Sequence, residues 1–92
     1  MPKLTAHEIR AALKTVPDWK KLGSTITHTY QFKDFPAAIN FVNTVAKHAE
    51  KAWHHPDIDI RWNKVALTLT THDAGGLTAK DFALAKRFDK LA

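Results

Sequence analysis

The chain has 92 residues, 45% of them apolar and 25% charged, which is the make-up of one folded domain, 1–92, with no length left for a second core. It contains no cysteine, which excludes a disulfide framework, a thiolate nucleophile and a Cys-ligated zinc site. The net charge is +5, but Lys20-Lys21 and Lys86-Arg87 are the only adjacent basic pairs and no basic block alternates with aromatics, so the charge reads as a solvated surface with no direct nucleic-acid footprint.

In chain order, LTAHEIRAALKTV opens with Thr5 and, three residues later, Glu8, a capping box that satisfies free amides at a helix start. Ile9, Ala12, Leu13 and Val16 follow as one apolar stripe at helical spacing. PDWKKLGS, with Pro17 and Gly23, reads as a short strand and a turn. STITHTYQF alternates, with Ile26, His28, Tyr30 and Phe32 facing one way, and predicts a strand with one buried face. Asp34 is then a good N-cap, with Pro36 tolerated in the first turn. Phe35, Ala38, Ile39, Val42, Val45, Ala46 and Ala49 predict the core stripe of a helix about four turns long. Pro56 stops the helix, because the residue before a proline is pushed towards extended backbone. DIDIRW and VALTLTTHD alternate on either side of an Asn63-Lys64 turn and predict an antiparallel hairpin. Thr78 and Asp81 then repeat the capping-box signature, and Phe82, Ala85 and Phe88 mark the apolar face of a last helix.

The order α-β-β-α-β-β-α predicts an α+β fold: a four-stranded antiparallel sheet with three helices packed on one face. A domain this small buries only about 60% of its unfolded surface, so self-association as a homodimer or homotetramer is expected. No signal-peptide core or membrane-crossing run is present in the sequence, and a cytoplasmic address without membrane attachment is the expectation.

Chemistry concentrates in the second half. His54 and His55 lie in the connection from a helix to a strand, and His72 lies at the far end of the following hairpin strand. Because hairpin strands run antiparallel, the start of one lies beside the end of the other, so these histidines should meet at one edge of the sheet. Glu50 sits one helical turn before His54, and Asp81 sits in the first turn of the last helix. Three imidazoles with two carboxylates nearby suit proton transfer near neutral pH. Three imidazoles and a water also form a familiar catalytic zinc set, but adjacent histidines on extended backbone aim apart, so no metal is expected. Plainer roles exist for the neighbours: Asp81 completes a helix cap, Trp62 fits a core, and Glu50 fits a helix surface. His7, His28 and His48, taken singly, read as solvated or singly bonded side chains.

The run EKAWHHPDIDIRWNKVALTLTTHDAGGLTAKD resembles the defining segment of the pterin-4a-carbinolamine dehydratases. That pattern asks for an acidic residue, three spacers, His-His-Pro, an aromatic, a further histidine and an aspartate. Glu50, His54-His55-Pro56, Trp62, His72 and Asp81 meet each term, and Trp19, FKDF at Phe32 to Phe35 and THDAGGLT at Thr71 to Thr78 extend the likeness. Ile58 departs from members that carry an aromatic after His-His-Pro-acid, which bears on the apolar rim of the pocket. The resemblance implies the same α+β fold and a hydro-lyase that removes water from 4a-hydroxytetrahydropterin, recycling the pterin of aromatic amino acid hydroxylases. It implies no cofactor, since the pterin is the substrate. His54 and His72 would be the acid/base pair and His55 would hold the pterin. Glu50 and Asp81 would orient imidazoles or bond the pterin's polar edge, beside Pro56, with Trp62 and Trp19 as aromatic wall. The alternative is a non-catalytic dimerisation cofactor for a transcription factor.

Overall fold

Each helix starts where the sequence supplies a cap. In the computed structural model, which describes residues 2–92, α1 (Ala6–Leu13) opens with the complete Thr5–Glu8 capping box. α2 (Phe35–Ala52) opens with the Asp34 carboxylate accepting from the Ala37 amide at 2.9 Å. α3 (Ala79–Leu91) opens with the reciprocal Thr78–Asp81 box. The strands are β1 (Lys20–Leu22), β2 (Thr25–Gln31), β3 (Asp57–Arg61) and β4 (Lys64–Leu69). They form one antiparallel sheet in the order β1-β2-β4-β3, so the order of elements is the expected one.

Alternation decides which face of the sheet is dry. Val65, Leu67 and Leu69 of β4 are fully buried, while Ala66 and Thr68 between them are only partly covered. Ile26 and Tyr30 of β2 join them, and the helices close the core with Ala38, Phe41, Val45, Ala49, Phe82, Ala85 and Phe88. Ile58 and Ile60 of the edge strand pair with Leu67 and Val65 and so share the core-side face, yet they remain 39% and 38% exposed.

Two details differ from the sequence expectation. The buried stripe of α2 is Ala38, Phe41, Val45 and Ala49, whereas Phe35 and Ala46 are exposed. This helix is apolar on more than one side, and the Phe41 ring decides its rotation by packing 4.8 Å from Tyr30 and 5.0 Å from Phe32. The hairpin turn is Trp62-Asn63, one residue earlier than the pattern suggests, since Arg61 pairs with Lys64. Asn63 explains the shift. It is buried, its side-chain amide donates to the Phe32 carbonyl at 2.8 Å, and its own carbonyl accepts from the Phe32 amide. With Asn63 fixed to the end of β2, Trp62 takes the left-handed turn position at φ 53° and swings out, 70% exposed.

Candidate active site

The site begins with how α2 ends. Trp53 leaves the helix in the left-handed region (φ 51°, ψ 39°), and the His54 amide reaches back to the Ala49 carbonyl at 3.2 Å. This is the geometry that usually falls to glycine or asparagine, and a bulkier residue pays about 1–2 kcal/mol for it. The bend turns the next two side chains in opposite directions. His54 goes inward and is buried; His55 goes outward and is exposed. Pro56 then commits the chain to β3.

Inside, His54 meets α3. Its Nε2 lies 2.5 Å from Asp81 Oδ1, and Asp81 is fully buried. The other carboxylate oxygen, Oδ2, accepts from the Thr78 amide and from the Thr71 hydroxyl, both at 2.9 Å. A carboxylate used in this way only accepts, so His54 Nε2 must donate, which leaves Nδ1 as the ring nitrogen available to exchange a proton. Thr78 Oγ1 lies 2.9 Å from Thr71 Oγ1, which joins the helix cap to the segment after β4. Asp81 therefore combines both readings of the sequence, a helix cap and an imidazole anchor.

Outside, His55 Nε2 pairs with Glu50 Oε1 at 2.8 Å, with both side chains more than half exposed. The third histidine arrives from the hairpin. Asp57 at the start of β3 pairs with Thr68 near the end of β4, so the segment following β4 passes the 54–55 pair. A 3-10 turn from His72 to Ala74 follows, closed by Gly75 at φ 74°, and Thr71 bridges to Gly76 across it. A left-handed turn of this kind suits glycine. His54, His55 and His72 border one open depression of about 420 Å³, together with Trp53, Pro56, Thr70, Thr71 and Lys80. Among the described residues, no group of three His, Asp or Glu side chains stands close enough to hold a metal ion.

Two expected aromatics lie elsewhere in the chain. Trp62 sits in the hairpin turn, the length of β3 away from the depression, about 16 Å for five residues of strand. Trp19 is buried in the core, where its indole N–H donates to Asp89 at 3.0 Å and its ring lies 5.9 Å from that of His28. The aromatic that does border the depression is Trp53, which pattern reading overlooked. A tryptophan standing between the last helical turn and His-His was the available signal, because that position favours small residues.

The chain is thus an α+β sheet-and-helix domain that brings imidazoles from two separate stretches round one open depression. The family model for pterin 4 alpha carbinolamine dehydratase matches residues 2–91, and the chain belongs to that family. It is 56% identical over 91 residues, 99% of this chain and 98% of the other, to the Chloroflexus aurantiacus protein named "Putative pterin-4-alpha-carbinolamine dehydratase". A namesake from Nocardia farcinica is 53% identical over 97% of this chain and 94% of its own. Among solved structures, the transcriptional coactivator/pterin dehydratase of Brucella melitensis superposes with a TM-score of 0.94 at 36% identity, covering 98% of each chain. The same fold, at 24% identity and a TM-score of 0.70, occurs in a pterin dehydratase-like RuBisCO assembly factor of the alpha-carboxysome, over 82% of this chain and 89% of that one.

Proposed function

We propose that the protein dehydrates 4a-hydroxytetrahydropterin to quinonoid dihydropterin, and so recycles the pterin left by an aromatic amino acid hydroxylase. The observation that carries this reading is the shared depression bordered by His54, His55 and His72, with His54 anchored on a buried carboxylate. In the reaction the C4a–O bond breaks, the N5–H proton leaves, and a C4a=N5 double bond forms. One acid protonates the departing hydroxyl to water and one base takes the N5 proton. There is no net redox change, so the proposal needs no redox cofactor, and the acid and base it does need are side chains. Histidine suits both roles because its ordinary pKa lies near working pH.

His54 and His72 are the acid/base pair in this reading. Asp81 holds the His54 ring by Nε2 and keeps Nδ1 for proton exchange. His55, braced by Glu50, holds the pterin and polarises its hydroxyl, and Pro56 stiffens the rim. Stopped-flow decay of 4a-hydroxytetrahydropterin tests it. Wild-type protein accelerates the decay, His54→Ala and His72→Ala each lose about 10²–10⁴-fold, and His55→Ala chiefly raises KM. A wild-type protein without effect overturns the reading, and an unaffected His72→Ala variant removes His72 from it.

A second reading, a binding cofactor for a transcription factor, is favoured by the description of the Brucella protein as a coactivator as well as a dehydratase. It predicts partner binding that survives His72→Ala. Under either reading we expect a homodimer or homotetramer, since Phe35, Ile58 and Ile60 leave apolar surface open on a chain with little core of its own. Light scattering at micromolar concentration checks the assembly.

A further inference from the structure

The dehydratase reading explains the three histidines and leaves Trp53 without a purpose. Its backbone caps α2, but its indole does little for the fold. Its backbone holds the left-handed conformation at φ 51°, a real outlier for a bulky side chain, and its indole is 78% exposed, so no packing offsets the strain. The other exposed left-handed tryptophan, Trp62, occupies a hairpin turn far from the histidines. Trp53 instead directly precedes His54 and borders the same depression as His54, His55, Pro56 and His72. Backbone strain gathers at ligand clamps when the surroundings hold it in place, and here the capped end of α2 and the anchored His54 do so.

We propose that Trp53 is a stacking subsite: its indole lies along the face of a flat heteroaromatic bicycle and forms the wall of the pocket that the sequence assigned to Trp62 and Trp19. The proposal rests on the pterin reading and adds a preference within it. The carbinolamine is puckered at its tetrahedral C4a, and the ring flattens as the C4a=N5 bond forms. A π-face stacks best on a flat partner. Trp53 therefore grips the flattening ring more tightly than the puckered one, and contributes to turnover as well as to binding.

The test uses Trp53→Gly and Trp53→Phe in the full chain, with calorimetric titration of 7,8-dihydropterin, thermal unfolding and dehydration kinetics. Glycine relieves the left-handed strain, so Trp53→Gly is expected to melt higher than wild type and yet to bind about tenfold more weakly, the scale of one base–aromatic stack. Its kcat falls and its KM rises, and Trp53→Phe recovers most of both. Equal binding by Trp53→Gly overturns the proposal, and so does a lower melting temperature, which would show that the indole packs on the protein. Loss of an oligomer in Trp53→Gly by sedimentation overturns it too, by making Trp53 an interface residue. If wild-type protein neither binds 7,8-dihydropterin nor dehydrates the carbinolamine, the pterin reading itself fails. Wild-type turnover with an indifferent Trp53→Gly fails the stacking subsite alone.

Discussion

α3 carries two aspartates eight positions apart, Asp81 and Asp89, and each gathers polar side chains from distant parts of the chain. They use their oxygens differently. Asp89 takes the Trp19 indole N–H and the Tyr30 hydroxyl on the same oxygen, Oδ1. Asp81 divides its work: Oδ2 faces the Thr78 amide and the Thr71 hydroxyl, and Oδ1 faces His54. The partners of Asp89 are core residues, Trp19 just before β1 and Tyr30 of β2, so that clamp ties the start of β1 and β2 to α3. Two partners of Asp81, His54 and Thr71, border the depression. One clamp therefore stabilises, and the other also positions. The difference lies in oxygen usage, not in burial alone.

The same substitution at both sites tests that distinction, and the largest effect belongs to Asp81→Asn. An amide has one accepting oxygen and one donating nitrogen. If the oxygen keeps Thr78 and Thr71, the nitrogen donates towards His54 and forces its proton onto Nδ1, which reverses the tautomer that the proposed chemistry needs. Dehydration should fall about 10²–10⁴-fold, and urea unfolding should show a loss of about 2 kcal/mol. Wild-type activity in Asp81→Asn would break the comparison, because His54 would then not depend on that carboxylate.

Asp89→Asn should do far less. Its amide oxygen can still accept both donors that Oδ1 accepts now, so only the charge assistance is lost, about 1 kcal/mol in urea unfolding. Dehydration kinetics should match wild type. A tenfold fall in kcat without unfolding would show that the core clamp reaches the site after all.

How much of this was readable from residues alone follows from the same two clamps. The Thr78–Asp81 box was legible because caps are local in sequence, and the approach of 72 to 54 and 55 was legible because a hairpin fixes which strand ends are neighbours. The Asp89 clamp was not, since it joins residues 59 and 70 positions apart and no periodicity announces it. The rotation of α2 depended on where Phe41 found an aromatic bed, which tertiary packing decides. Alternation alone puts Trp62 in a strand, because the Asn63 contact to Phe32 that moves the turn is also long-range, and a one-residue shift changes where a side chain points.

The clamps also separate by pH. Burial, and then the Asp89 hydrogen bond and charge, push the Tyr30 hydroxyl well above its ordinary pKa, while an unfolded tyrosine ionises near about 10. The folded state then holds a proton that the unfolded state releases, so stability is complete below about pH 10 and falls as pH rises beyond it. Tyr30→Phe removes this dependence. Wild-type protein should exceed the variant by about 1–2 kcal/mol at pH 8, the scale of a hydrogen bond to a charged group, and the gap should shrink in urea titrations above pH 10. A constant gap would mean that folding does not raise the Tyr30 pKa at all.

The smallest effect expected is that of Glu50→Gln. Glu50 meets His55 at 2.8 Å, but the two side chains are 69% and 59% exposed, so water and salt screen the pair. An exposed ion pair contributes at most about 1 kcal/mol, and glutamine keeps an oxygen in the same reach. If Glu50 acts only by bracing His55, dehydration should change by less than about tenfold, the rate ceiling that 1 kcal/mol allows, and raising the salt concentration should shrink the difference further. A larger fall that salt leaves untouched would mean that the Glu50 carboxylate bonds the pterin's polar edge directly, inside a closed complex where screening no longer applies, and the exposed rim would then belong to the site as fully as Asp81 does.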